Sequence, residues 1–191
     1  MSRDLMHSDE IKAFVRDAYR AVNGKPTLVA ERLYSVGELA QVPASARSGA
    51  LGVGNHLRVA TIEPGATVLD VGCGSGIDTV LAALRVGSDG RVVALDFLPE
   101  MLDRTAQAAR EAGLANVETL EAEMEAIPLP DGSVDVVISN GVLNLSPRKA
   151  RALAEIARVL RAGGELCVSD LTVDERKLPT EVLTHPAAWA G

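Results

Sequence analysis

The sequence predicts an α/β domain, a doubly wound parallel sheet preceded by an N-terminal helical arm, and three observations carry that prediction. After Pro64-Gly65, short β-branched runs alternate with longer stretches of helical period, the pattern of repeated βαβ units. The runs are mostly apolar rather than alternating, as strands covered on both faces require. Glycines stand at or just beyond the ends of the helical stretches, where a left-handed residue is needed.

The elements follow in order. From Ser8 to about Val22, Ile11, Phe14, Val15 and Ala18 recur at helical spacing, with Ser8 as N-cap and Asp9 and Glu10 in the positive first turn. Between Gly24 and Pro64, Pro26, Gly37, Pro43 and the run Gly49-Ala50-Leu51-Gly52-Val53-Gly54-Asn55 break the chain into short helical pieces, which read as a cap or arm. Strands are expected at Thr67 to Val71, Arg91 to Asp96, Val117 to Glu121, Val134 to Ser139 and Glu165 to Ser169. Helices are expected at Ile77 to Val86, Pro99 to Ala112 and Arg148 to Leu160, with Gly87, Gly113 and Gly163-Gly164 at their ends. Residues 1–64 thus form the arm and 65–191 the Rossmann-like core of one domain, which suits a 191-residue chain with 47% apolar side chains.

Between the first strand and its helix lies Gly72-Cys73-Gly74-Ser75-Gly76, a turn tight enough for a ligand to approach the backbone. A dinucleotide fingerprint has G-x-G-x-x-G spacing, yet position 77 is Ile and the spacing here is G-x-G-x-G. Asp70, just before the turn, would repel a pyrophosphate and attract an ammonium or sulfonium group. A nicotinamide-dependent oxidoreductase is disfavoured on both counts. About 20 residues beyond the turn, Asp96 ends the second strand, where a carboxylate accepts hydrogen bonds from both hydroxyls of a ribose.

Composition narrows the partners. A net charge of -7 repels phosphate backbones and anionic membranes. Phe14, Tyr19, Tyr34, Phe97 and Trp189 are the whole aromatic complement, too few for base-stacking platforms. A small-molecule acceptor is expected, with no nucleic acid, no membrane and no metal. Cys73 and Cys167 read as reduced, buried thiols, and the N-terminus lacks the apolar core of a signal peptide, so a cytoplasmic location is expected.

From Val68 to Ser169 the sequence resembles the class I S-adenosylmethionine-dependent methyltransferases. Leu69-Asp70-Val71-Gly72-Cys73-Gly74-Ser75-Gly76 is similar to the family's first motif. Ala94-Leu95-Asp96 is similar to its ribose-binding strand end, with Phe97 beside it and Pro99-Glu100-Met101-Leu102 after it. Glu123-Met124-Glu125-Ala126-Ile127-Pro128 resembles the segment whose acidic residue, here Glu123, contacts the adenine amino group. Ser139-Asn140-Gly141 resembles the fourth-strand end near the methionine part, and Arg158-Val159-Leu160-Arg161-Ala162-Gly163-Gly164 the turn before the fifth strand. The resemblance implies S-adenosylmethionine as cofactor, held by Asp70, Gly72, Cys73, Gly74, Gly76, Asp96, Phe97, Met101, Glu123, Met124 and Asn140.

Within that family, Leu51-Gly52-Val53-Gly54-Asn55, Gly76-Ile77-Asp78, Val136-Val137-Ile138-Ser139-Asn140, Val142-Leu143-Asn144-Leu145-Ser146-Pro147 and Ser169-Asp170 resemble the arsenite methyltransferases. Trivalent arsenic is held by thiolates, yet the family's cysteines fall at Val53 and Gly141 here, and a third would fall at about the end of the chain. The resemblance also implies a seven-stranded sheet, whereas this chain ends soon after the fifth strand. A C-terminally shortened core is therefore expected, its open edge inviting a second copy.

An activated methyl donor needs alignment more than a base; if the acceptor is a carbon or oxygen acid, His56 in the arm is the candidate base, while His7 and His185 read as surface residues near the termini. Cys73 is flanked by nothing basic and is assigned no thiol chemistry. Asp170 either faces the ligand or caps the turn after the fifth strand. Two readings follow: a small-molecule methyltransferase whose arm, from Tyr34 to His56, closes over the cofactor, or a catalytically silent module that binds S-adenosylmethionine or serves in assembly.

Overall fold

The computed structural model describes residues 28–172 together with Ala13, Arg16 and Asp17, which are helical and exposed. The rest of the helix expected over Ser8 to Val22 lies outside the described residues. The arm supplies three short helices, α1 (Val29–Leu33), α2 (Val36–Leu39) and α3 (Ala44–Ser48), and a 3-10 turn at His56–Arg58. The core follows as β1 (Thr67–Val71), α4 (Ile77–Val86), β2 (Arg91–Asp96), α5 (Pro99–Glu111), β3 (Val117–Glu121), β4 (Val134–Asn140), a 3-10 turn at Leu143–Leu145, α6 (Lys149–Val159) and β5 (Leu160–Ser169).

All strands pair in parallel in the order β3-β2-β1-β4-β5. In the centre Leu69 lies between Val93 and Val137, and Asp70 between Ala94 and Ile138. One face of the sheet carries α6, with Ile156 and Val159 packed on Leu69, Val71, Val93 and Val137. The opposite face carries α4, and there the arm completes the core: Ala30, Tyr34, Leu39, Val42, Ala46 and Leu57 share one cluster with Val68, Ile77, Val80 and Val86. Covered by sheet on one side and arm on the other, α4 is buried at eight of its ten positions. Fully burying a Val or Leu side chain contributes about 1.5–3 kcal/mol, so arm and core are joined by a substantial apolar interface.

Local chemistry sets the boundaries. Ser35 and Glu38 form a reciprocal capping box at the start of α2. Gly113, at φ 69°, ends α5 as expected: its N–H reaches Arg110 O at 3.0 Å, and the Leu114 N–H reaches Ala109 O at 2.9 Å, a Schellman arrangement. The last connection differs from expectation. Helix α6 stops at Val159 and Leu160 is already extended, so Gly163, at φ 77°, bulges within β5 instead of capping a helix. Leu160 pairs with Val134 and Glu165 with Val136, which sets the four residues Arg161 to Gly164 against Asp135 alone. The expectation of mostly apolar strands fails at β3, an edge strand whose Glu118, Thr119 and Glu121 are exposed. At the other edge of the described sheet, Leu166 and Val168 are 38% and 39% exposed. Among the described residues no helix is long and apolar enough to cross a membrane.

Candidate functional site

The connections of β1 and β4 leave the sheet on opposite faces, and a crevice opens at the C-terminal ends of the strands. Its floor is the glycine turn. The N–H groups of Gly72 and Cys73 both donate to Leu95 O, at 2.8 and 3.0 Å, which folds the chain back over the end of β2. Gly72 has φ 78°, and a Cβ there would lie 2.6 Å from Val142 Cγ2; Gly76 has φ 91°, and a Cβ there would lie 3.0 Å from Thr105 Cα. Both the backbone region and the neighbours therefore require glycine at these two positions.

Two recesses share Gly72 and Val142. The first is walled by the end of β2 (Leu95 to Leu98), the segment Ala122 to Glu125, and Leu145 to Pro147. The second lies between the turn residues Cys73 to Ser75, Ile77 and Asp78 of α4, Met101, Asn140, and the arm residues Tyr34 and Gly49 to Gly52. Asp96, Glu123 and Glu125 line the first and Asp78 the second, and neither lining contains a lysine or arginine. An anion is poorly served by such walls and a cation well served.

Most of the expected site residues meet here. Asp96 is buried at the end of β2; its Oδ2 accepts from Gly74 N–H at 3.1 Å and its Oδ1 from Leu98 N–H at 3.0 Å. Burial raises its pKa and these backbone donors oppose the rise. Phe97, Glu123 and Met124 line the first recess, Met101, Gly74 and Asn140 the second. Cys73 contributes backbone: its thiol is 7% exposed beside the Thr105 hydroxyl at 3.4 Å, and burial, with Asp96 and Asp70 nearby, pushes it far above the ordinary thiol range. A thiol held protonated is no nucleophile.

Asp70 and His56 are placed otherwise. Asp70 lies beneath the turn, 2% exposed, with Oδ2 accepting from the Thr79 hydroxyl at 2.6 Å, and it lines neither recess. Burial, then Asp78, pushes its pKa up to about 8, against the opposing Thr79 hydrogen bond. His56 is 3% exposed in its 3-10 turn and lines neither recess. Neither of its ring nitrogens has a hydrogen-bond partner among the described residues, and burial depresses its pKa. An uncharged imidazole enclosed behind the arm does not face the crevice as a base would. Asp170 lines neither recess; it ties the end of β5 to the 3-10 turn after β4, accepting from Asn144 N–H at 3.1 Å, and accepts from Leu171 N–H at 2.8 Å.

The geometry adds residues that sequence reasoning gave no role. Asp78, in the first turn of α4, accepts from Tyr34 Oη at 2.7 Å and from Asn140 Nδ2 at 3.0 Å. Glu125 accepts from the Ser146 hydroxyl at 2.6 Å, joining two walls of the first recess. The available signals were an acidic residue in the first turn of the helix after the glycines and one of the two tyrosines of the arm. Among the described residues no cluster of His, Cys, Asp or Glu could hold a metal ion.

Residues 62–190 match the family model of a methyltransferase domain. The arsenite methyltransferase of Halobacterium salinarum is 41% identical over 162 residues, covering 84% of this chain and 41% of that protein. The demethylmenaquinone methyltransferase of Listeria welshimeri is 36% identical over 115 residues, covering 60% of this chain and 48% of that protein. Among solved structures, an arsenic(III) S-adenosylmethionine methyltransferase from Chlamydomonas reinhardtii superposes with a TM-score of 0.71 at 38% identity, covering 86% of this chain and 55% of that one. A SAM-dependent methyltransferase from Aquifex aeolicus gives 0.58 at 32% identity, covering 64% of this chain and 65% of that one. The chain thus spans about half the length or less of the curated relatives described.

Proposed function

Since the chain belongs to the class I S-adenosylmethionine-dependent methyltransferases, we propose that its crevice binds S-adenosylmethionine and directs methyl transfer to a small-molecule acceptor. The observation that carries this reading is the division of an acidic, cation-free crevice into two recesses around one glycine turn. Asp96, at the mouth of the turn, is the residue for the ribose hydroxyls, and Glu123 with Met124 and Phe97 forms the adenine wall. Gly72, Cys73 and Gly74 bring backbone to the ligand, Met101 and Asn140 bound the methionine half, and Gly76, which lines neither recess, shapes the turn against Thr105. Asp70, buried beneath the turn and accepting from the Thr79 hydroxyl, supports the turn from behind. When bound, the cofactor supplies a methyl group already activated on a sulfonium sulfur. The protein's task is then to align the acceptor and keep out water, which the arm serves by closing one side of the crevice.

The acceptor reading departs from the arsenite-named relatives. A Cβ on Gly141 would lie 3.2 Å from Val53 Cγ1, so the two positions that the resemblance assigns to cysteine face each other and hold hydrocarbon. No thiolate is available there for a soft metalloid. An uncharged or cationic organic acceptor suits the acidic walls better.

Calorimetric titration with S-adenosylmethionine tests the cofactor site. Saturable binding is expected, weakened by about 1–3 kcal/mol in Asp96→Ala through loss of hydrogen bonds to a charged group. Absence of binding to the folded chain would sink the reading. Conversion to S-adenosylhomocysteine that depends on an added acceptor then separates an enzyme from a silent binder.

A further inference from the structure

Asp78 is the one charged residue lining the second recess among the described residues. Its place in the first turn of α4 would ordinarily turn its carboxylate toward the helix's own N–H groups. Instead both oxygens are engaged from outside the helix, Oδ1 by Tyr34 Oη at 2.7 Å and Oδ2 by Asn140 Nδ2 at 3.0 Å. Those donors are neutral, so they orient the carboxylate and leave its charge uncompensated. Among the described residues no ion pair reaches it. A carboxylate has about four acceptor sites, and two donors leave capacity for a further one arriving from the recess. The lining of the recess supplies no basic residue, so a cation in front of Asp78 is favoured.

The same two donors belong to the arm's attachment. Asn140 Oδ1 accepts from the N–H groups of Val53 and Gly54 at 2.9 and 3.2 Å, and its Nδ2 also donates to Gly54 O at 2.9 Å. The loop is pressed close: a Cβ on Gly52 would fall 2.6 Å from Asn140 Nδ2, and one on Gly54 would fall 2.4 Å from Ser169 Oγ. Tyr34, at the end of α1, touches both Asp78 and the Asn140 amide. Whatever engages Asp78 therefore acts on groups that fix the arm loop.

We propose that Asp78 binds the cationic amino group at the methionine end of the cofactor, and that Tyr34 and Asn140 transmit its occupancy to the arm loop from Gly52 to Asn55. This rests on the cofactor reading above. The first recess contains no arm residue and the second contains Tyr34 and Gly49 to Gly52, so ligands that fill one or both halves separate the two contributions.

The test titrates wild type, Asp78→Asn and Tyr34→Phe with S-adenosylmethionine, S-adenosylhomocysteine and 5′-deoxy-5′-methylthioadenosine, which lacks the amino-acid end. Asp78→Asn is expected to raise Kd about tenfold or more for the two ligands with an ammonium group, as loss of a charged hydrogen bond does, and to leave methylthioadenosine within about twofold. Amide hydrogen exchange at Val53 and Gly54 is expected to slow when S-adenosylmethionine binds wild type, and to slow less in Tyr34→Phe, which removes only the hydroxyl. Equal weakening of all three ligands, or no weakening, overturns the role of Asp78. If Asp78→Asn does not fold, undiminished slowing in Tyr34→Phe overturns the coupling. Failure of wild type to bind any of the three removes the cofactor reading itself, an outcome distinct from a wild type and an Asp78→Asn that bind alike.

Discussion

The Thr79 hydroxyl donates to Asp70 Oδ2 at 2.6 Å, linking the first turn of α4 to the central strand beneath the glycine turn. Burial, reinforced by Asp78, moves the Asp70 pKa from 3.8 to about 8. A carboxyl whose folded pKa exceeds its unfolded value makes its full contribution to stability below the unfolded pKa and loses it as pH rises through the folded one. Stability from this group is thus expected to fall progressively between about pH 4 and pH 8, and to level off above. Asp70→Asn should flatten that slope when denaturant midpoints are compared across pH. An unchanged slope would mean that Asp70 is ionised in the folded protein at neutral pH. Thr79→Val removes a donor to the charged form, and should move the fall toward higher pH.

Two glycines of the turn are expected to tolerate alanine differently. At Gly72 both the positive φ and Val142 Cγ2, 2.6 Å from a notional Cβ, oppose a side chain, whereas at Gly74, with φ 54°, nothing lies within 4 Å. Gly74→Ala should cost about 1–2 kcal/mol, the left-handed backbone penalty alone, while Gly72→Ala should cost about 1–3 kcal/mol more through overpacking. Denaturant unfolding of the two variants measures the difference. Val142→Ala in the Gly72→Ala background should recover the packing part and leave the backbone part, so failure to recover any stability would refute the assigned clash.

Much of this site was legible because its signals are local. The period of the strands, the G-x-G-x-G spacing and Asp96 at a strand end each fit within one βα unit. Asp78 and Tyr34 were not legible in the same way, since their bond joins residues 44 apart and the Asn140 bond to Asp78 spans 62. Position in the fold also decides what composition alone does not: Val117 to Glu121 was correctly a strand, but its edge location is what permits three exposed polar residues. His56 shows the opposite error, since a histidine beside a glycine-rich loop suggests a base, and the fold encloses it behind the arm. At α6, Gly163-Gly164 gave a valid helix-stop signal, yet extended Leu160 ended the helix first and Gly163 shaped the bulge.

The juxtaposition of Val53 and Gly141 leads to a gain-of-function expectation. With hydrocarbon at both places, the wild-type chain should not retain the dithiol-specific probe phenylarsine oxide after gel filtration, because Cys73 and Cys167 lie in different parts of the fold and are buried. The pair Val53→Cys and Gly141→Cys should retain one equivalent, and either single variant far less. Gly141 has φ 74°, so its replacement should cost about 1–2 kcal/mol of stability. Retention by wild type would overturn the reading that this crevice lacks a soft-metal site. Failure of the folded double variant would mean that the two side chains do not converge.

Arg158 in the last turn of α6 holds the segment that follows the Ala122 to Glu125 wall of the first recess. Its Nη1 donates to Leu129 O at 2.8 Å and to Asp131 Oδ1 at 2.7 Å, and its Nη2 donates to Ile127 O at 2.7 Å and to Glu155 Oε2 at 2.8 Å. Glu155 in turn accepts from Ile127 N–H at 3.0 Å, so one planar guanidinium and its carboxylate partner fix both sides of the backbone at Ile127. Ile127 is 2% exposed and follows closely on Glu123 to Glu125, which line the first recess. Lysine cannot reproduce a fork that serves two carbonyls and two carboxylates at once. Arg158→Lys should therefore lower the melting temperature nearly as much as Arg158→Ala, and both should weaken methylthioadenosine, the ligand of the adenosine half. Full recovery of both properties by lysine would show that charge alone, and not the forked geometry, holds this wall of the crevice.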